Sequence, residues 1–174
     1  MKTSLSLTQK TITSLPVLSN NRTVAAHATV RRATRDDFDT IVHFNLDGAY
    51  ESARAELNHH NLCVGVPYSL RCDSDFYLVC ESEGEIVGHL KIHQHWHDWY
   101  DQHLWWIEHV YVPERHRGKG YAQQMIDQVC RLAREDACVR HVLLMVRSDN
   151  TPAVQLYEKT GFGLHRNTLM FRAP

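Results

Sequence analysis

Tyr111-Val112-Pro113-Glu114-Arg115-His116-Arg117-Gly118-Lys119-Gly120-Tyr121-Ala122 is the stretch on which the fold of this 174-residue chain turns. Before it, residues 104–112 form the most strand-like run in the sequence, and Pro113 ends that strand. Behind it, Ala122, Met125, Ile126, Val129, Cys130 and Ala133 recur at a helical period, so a helix opens directly after Gly120. An Arg-x-x-Gly-x-Gly loop therefore joins a strand to a helix N-terminus. Glycines let the backbone approach a ligand closely, and the unpaired amides of a helix start point at an anion. Arg115, Arg117 and Lys119 add positive charge beside those amides. A pyrophosphate suits such a site. The spacing is neither that of a Walker loop nor that of a dinucleotide-binding fingerprint. Taken alone, it is also compatible with an ordinary glycine-containing connection.

Working outward, residues 28–33 alternate as a short strand, and Thr34 with Asp36-Asp37 suits a helix start. Phe38, Ile41, Val42, Asn45 and Leu46 continue at helical spacing. Residues 49–58 suggest a second short helix, and 59–72 an irregular segment broken by Gly65 and Pro67. Phe76–Cys80 and Ile86–Ile92 make a hairpin around Glu83-Gly84-Glu85. Val142–Val146 is a continuous apolar run, as expected of a strand buried on both faces. Asp149-Asn150-Thr151-Pro152 opens another helix, Gly161 stops it, and Leu164–Phe171 predicts a last strand. The pattern is mixed α/β, with a strand–helix–strand–helix–strand order in its later part.

Composition narrows the class. A length of 174 residues suits one domain, and no apolar run reaches the roughly 18 residues of a membrane span. The formal net charge of −1 hides an asymmetry. Residues 1–35 hold six Lys/Arg and no acid, leaving the rest at about −7. An acidic domain argues against nucleic acid as a partner and favours a cationic small molecule. Five cysteines without a CxxC pair predict reduced thiols in a cytoplasmic protein. Residues 1–27, rich in Ser and Thr, are expected to be a flexible tail, with a presequence as the alternative; residues 28–174 make up the domain.

Two motifs in order identify a relationship. Arg115-x-x-Gly118-x-Gly120 is followed, thirty residues past Gly120, by Asn150-x-x-Ala153-x-x-Leu156-Tyr157-x-x-x-Gly161-Phe162. Together they resemble the GNAT N-acetyltransferase superfamily over about residues 28–172. The resemblance implies a central, mostly antiparallel twisted sheet of six to seven strands flanked by about four helices, splayed at the acetyl-CoA site. It also implies acetyl transfer from acetyl-CoA to a primary amine, by direct attack in a ternary complex and without a metal. A noncatalytic acyl-CoA-binding module and a protein N-acetyltransferase are the alternatives.

The same resemblance assigns roles. Val110, Tyr111 and Val112 would bind the pantetheine arm through their backbone, with the Val110 amide donating to the thioester carbonyl. Arg115 and the loop Arg117, Gly118, Lys119, Gly120, Tyr121 and Ala122 would cradle the pyrophosphate. Asn150 would bond the pantetheine region, or else cap its helix. Tyr157 stands where relatives carry a general acid, with a core tyrosine as the alternative. Glu108 stands where relatives carry a base. His109 has the better unperturbed pKa, but strand alternation points it to the opposite face.

One segment is not absorbed by this scheme. Of 13 histidines, His93, His95, His97, His103 and His109 fall within 17 residues, together with all four tryptophans. Alternation puts His93, His95 and His97 on one face, a geometry that can bind Zn²⁺, yet no cysteine or carboxylate completes a known ligand spacing. No metal is therefore expected. Trp96, Trp99 and Tyr100 are expected to line the amine site, or alternatively to pack on early helices or form a homodimer contact.

Overall fold

A computed structural model describes residues 28–166, 170 and 172. Among these, five strands form one sheet in the order β1 (Ala28–Arg32), β2 (Asp75–Ser82), β3 (Glu85–His97), β4 (Gln102–Tyr111) and β5 (Val139–Leu144). The first four run antiparallel to their neighbours, and β5 lies parallel to β4. Helices α1 (Phe38–Ala53) and α2 (His59–Arg71) cover one face, while α3 (Tyr121–Glu135) covers the other; α4 (Thr151–Lys159) follows β5. The architecture is the expected mixed α/β one, with five described strands where six to seven were expected. Of the expected last strand, Leu164, His165 and Arg166 form no ladder, and residues 167–169 and 171 lie outside the described residues, as do residues 1–27.

Alternation along the strands builds two cores. Phe76, Leu78 and Cys80 of β2, Leu90 and Ile92 of β3, and Trp105 and Ile107 of β4 face α3, which contributes Tyr121, Met125 and Val129. Tyr77 and Val79 face the other way, onto Ile41, Val42 and Val66 of α1 and α2. At the entrance to α1, the Asp37 carboxylate accepts from Thr34 N at 2.7 Å and from two Arg31 nitrogens at 2.8 and 2.9 Å. Glu83 and Gly84, with φ of 54° and 78°, turn β2 into β3 as the hairpin signal requires.

Three local expectations are corrected. Helix α1 does not stop near Gly48 but runs to Ala53, because the missing side chain at Gly48 lets the helix lie against Tyr111; a Cβ there would sit 3.1 Å from that ring. The segment 59–72 is helical rather than irregular. Asn58 caps it by accepting from Asn61 N, and Val66, Leu62 and Leu70 pack on the sheet, which outweighs Gly65 and Pro67. Strand β5 is half-buried rather than buried on both faces, with Arg140 and His141 exposed.

Met125 is fully buried in the larger core, so Met125→Ala is expected to cost about 2–5 kcal/mol in urea unfolding. The hydrogen bonds from Arg31 hold the Asp37 carboxyl below the usual carboxylate range. Its contribution is present above the unfolded value of about 4 and is lost as pH falls through the lower folded value. Unfolding free energy measured down to pH 3 should therefore fall less steeply in Asp37→Asn than in the wild type.

Candidate functional site

The site grows from the end of β4. Its ladder to β5 stops at Ile107↔Leu144, although β4 continues to Tyr111. On the other edge, His89 of β3 faces Tyr111 and Lys91 faces Glu108, so His109 and Val110 together stand opposite Leu90 alone. This is a β-bulge, and His109 carries its left-handed conformation at φ 53°. β4 thus continues for four residues beyond its last pair with β5, in the place where the resemblance implies a splay. Beyond Val112 the chain makes a short turn over Glu114–His116 and reaches the glycine loop.

Gly118 and Gly120 have φ of 76° and 84°, and a Cβ on either would meet nothing within 4 Å. The requirement at these positions is therefore backbone conformation, not space. With Gly120 as the N-cap of α3, the first-turn amides open into a groove of about 500 Å³. Val112, Arg117, Gly118, Lys119, Gly120, Tyr121 and Ala122 line it, facing Pro152, Gln155, Leu156 and Lys159 of α4. Tyr121 sends its ring into the core, where its hydroxyl lies 3.2 Å from Ser82 Oγ, so only its backbone serves the groove. Arg117 lines the groove yet turns its guanidinium back, donating to Val112 O at 2.8 Å and pairing with Glu51 of α1. Glu51 also accepts from the Tyr111 hydroxyl at 2.7 Å. Arg115 does not join the groove lining; its guanidinium pairs with Glu85 at 2.8 Å.

On the α1 side of β4, Glu108 and His109 come together. Their Oε2 and Nε2 atoms are 3.9 Å apart, so the expectation that His109 points to the opposite face is overturned. Strict alternation fails because the bulge inserts one residue into the strand. Burial lowers the His109 pKa below the ordinary imidazole value, against the opposing pull of Glu108. Simple periodicity contains no signal for this; a bulge is set by tertiary contacts.

Lys91 was missed in the sequence. It extends across to Glu108, 3.5 Å from Oε2, and lies 2.9 Å from Asp75. Its identity inside an apolar strand, between Leu90 and Ile92, was the available clue.

Helix α4 brings two expected residues to the region. Asn150 caps it, accepting from Ala153 N at 3.3 Å. Tyr157 faces a second cavity of about 590 Å³, lined along β5 by residues 142–146, and packs edge-on to Phe162. Burial pushes its phenol above 10.

Trp96, Trp99 and Tyr100 do not join this group. They sit at the β3–β4 turn, and Gln102, where β4 starts, is six residues from Glu108, roughly 20 Å along an extended strand. Trp99 is 87% exposed, His97 stacks near Tyr100, and Arg140 lies 4.1 Å from the Tyr100 ring centre. His93 is bound to Asp75 at 2.7 Å, and among the described residues no three His, Cys, Asp or Glu converge as metal ligands.

Comparison with known proteins agrees with this geometry. A model of the acetyltransferase (GNAT) family matches residues 38–162. Streptothricin acetyltransferase of Escherichia coli is 36% identical over 98 residues, 53% of this chain and 51% of that protein, so the chain spans about half of that relative. An acetyltransferase of Sodalis glossinidius (strain morsitans) is 30% identical over 107 residues, 62% of this chain and 70% of the relative. The crystal structure of a possible acetyltransferase from Clostridium difficile 630 superposes with a TM-score of 0.77 at 26% identity, covering 84% of this chain and 98% of that one.

Replacing Gly120 by alanine forces a side chain into the left-handed region at about 1–2 kcal/mol. Calorimetry with a nucleoside diphosphate should show affinity reduced by about tenfold.

Proposed function

The chain belongs to the acetyltransferase (GNAT) family, and on that premise we propose that it transfers an acetyl group from acetyl-CoA to a primary amine of a small, cationic molecule. One observation carries the reading: a strand that leaves its parallel neighbour at Ile107 and runs, within ten residues, into an anion-binding helix start. The groove is a fit for the cosubstrate. Backbone amides from Gly118 to Ala122, with Lys119, would take the pyrophosphate. The free edge of β4 at Val110, Tyr111 and Val112 would pair with the amides of the pantetheine arm, and Asn150 would add its side-chain N–H donors. Arg115, held by Glu85, and Arg117, held by Glu51, would contribute charge at the rim and not direct contacts unless those pairs open.

The bound thioester supplies an activated acetyl carbon. The chain's task is to orient the amine, remove its proton and return one to sulfur as the C–N bond forms and the C–S bond breaks. Glu108 is the proposed base, with His109 beside it as a neutral imidazole able to pass the proton to solvent. The Val110 amide is the proposed donor to the carbonyl oxygen as charge grows there. Tyr157, whose phenol is raised further by burial, is the proposed acid for the departing sulfur. Direct transfer is in keeping with Cys80 of β2 and Cys130 of α3, the two thiols on the α3 side of the sheet. Burial pushes Cys80 up to about 11 and also raises Cys130, so neither offers a thiolate nucleophile. Cys72, lowered by its hydrogen bond with Ser74, lies at the α2–β2 junction, toward the Trp99 end of the sheet.

The acceptor class rests on two supports. One relative is a streptothricin acetyltransferase. Asp47 of α1 stands beside Tyr111 on the face that carries Glu108, and residues 36–174 together are acidic, a setting that favours a cation.

Thiol release from acetyl-CoA, followed across a panel of polyamines and aminoglycosides, tests the reading. Glu108→Gln should lower kcat by about 10²-fold or more, and Tyr157→Phe by about tenfold or more. Binding of acetyl-CoA with no thiol release for any amine would instead mark a noncatalytic acyl-CoA-binding module.

A further inference from the structure

The α1 face of the sheet carries a continuous line of charged and titratable side chains: His93, Asp75, Lys91, Glu108 and His109. Lys91 is its centre. Its side chain is only 16% exposed, and Asp75, its partner on β2, is 10% exposed. Burying a lone ammonium costs several kcal/mol, so a lysine persists here only because carboxylates meet it from both neighbouring strands. Asp75 is itself held, by His93 at 2.7 Å and by the Ser69 hydroxyl at 3.3 Å. The ammonium is thus fixed from the side away from the reaction.

At Glu108 the contacts are one-sided. Lys91 Nζ and His109 Nε2 both approach Oε2, at 3.5 and 3.9 Å. These are ion-pair distances, longer than a hydrogen bond, and both lie on the Oε2 side of the carboxylate. We propose that Lys91 is a positioning residue, whose charge draws Oε2 of Glu108 toward β3 so that Oε1 receives the proton of the acceptor ammonium. This rests on the acetyl-transfer reading and extends it to a residue outside the reacting groups. The step balances: an N–H bond of the acceptor ammonium breaks, an O–H bond forms on Oε1, and the electron pair of that N–H bond stays on nitrogen as the lone pair that attacks.

The charge of Lys91 also acts on His109. Burial is the main reason that the imidazole sits below its ordinary value; Glu108 opposes this and Lys91 reinforces it. The groups facing this cluster are Tyr77 from β2, His89 and His93 from β3, and Asp47 and Glu51 from α1 beside Tyr111, with uncharged Asn45 and Ser69 from α1 and α2. His89 is fully buried, and burial lowers it to about 3, so it remains neutral while His109 titrates.

The test uses the full chain with Lys91→Met, Lys91→Gln and Lys91→Arg; the polar Gln variant covers the case in which an apolar side chain beside Asp75 unfolds the sheet. Two readouts are taken, thiol release against pH and NMR titration of the His109 ring. In Met and Gln, kcat should fall about tenfold with KM for acetyl-CoA within twofold. The acid limb of kcat and the His109 midpoint should both move up by about half a unit or more. Lys91→Arg should restore most of each. An unmoved acid limb and an unmoved His109 midpoint in an active Met or Gln variant overturn the role of Lys91, whatever happens to kcat. A wild type that releases no thiol with any amine overturns the acetyl-transfer reading and the proton-accepting role of Oε1 with it, while the His109 titration still judges the electrostatic role separately.

Discussion

At His109 the backbone of β4 adopts φ 53°, and two residues of this strand face one of β3. Most of the site follows from that. A left-handed conformation at a residue with a Cβ costs roughly 1–2 kcal/mol, and it is held here by packing on both sides. On one face Trp105 and Ile107 are locked into the core with α3, and on the other Tyr111 lies against Gly48 and bonds Glu51 of α1. The bulge lies in the last part of β4, which runs on past the end of β5 at Leu144. The direction of the chain toward the glycine loop and the pairing of Glu108 with His109 are two results of this one irregularity.

Much of the fold was legible because its signals are local. Gly118 and Gly120 announce a backbone that few other residues adopt, and α3 shows its buried stripe in sequence as Met125, Ile126 and Val129. The hairpin at Glu83-Gly84 reads from two residues. The failures are those in which distant contacts override local preference. Pro67 and Gly65 argue against a helix, yet Val66 and Leu62 find an apolar sheet face that makes one. His109 defeats alternation for the same reason. Trp96, Trp99 and Tyr100 precede β4 in sequence, and a strand of that length carries its two ends some 20 Å apart. Lys91 could not be placed without knowing that Asp75 and Glu108 flank it on neighbouring strands.

A second tie joins the two substrate sides of the proposed site. Glu51 of α1 receives both the Tyr111 hydroxyl and the Arg117 guanidinium, so the helix over the Glu108 face is bound to the anion loop by one carboxylate. Its carboxyl is held below the usual range: burial opposes this, and the bonds from Arg117 and Tyr111 prevail. Helix and loop are thereby positioned relative to each other independently of the core beneath them.

The crowding of all four tryptophans into residues 96–106 has an optical consequence. The chromophores sample the β3–β4 hairpin and hardly anything else. Trp105, packed edge-on to Phe76 in the core, reports the integrity of the sheet, whereas Trp99 already emits from water in the native state. Intrinsic fluorescence will therefore follow loss of the fold chiefly through Trp105 and the half-buried Trp106, over a red-shifted contribution from Trp99, and it will be nearly blind to events at the glycine loop, at the other end of the strand.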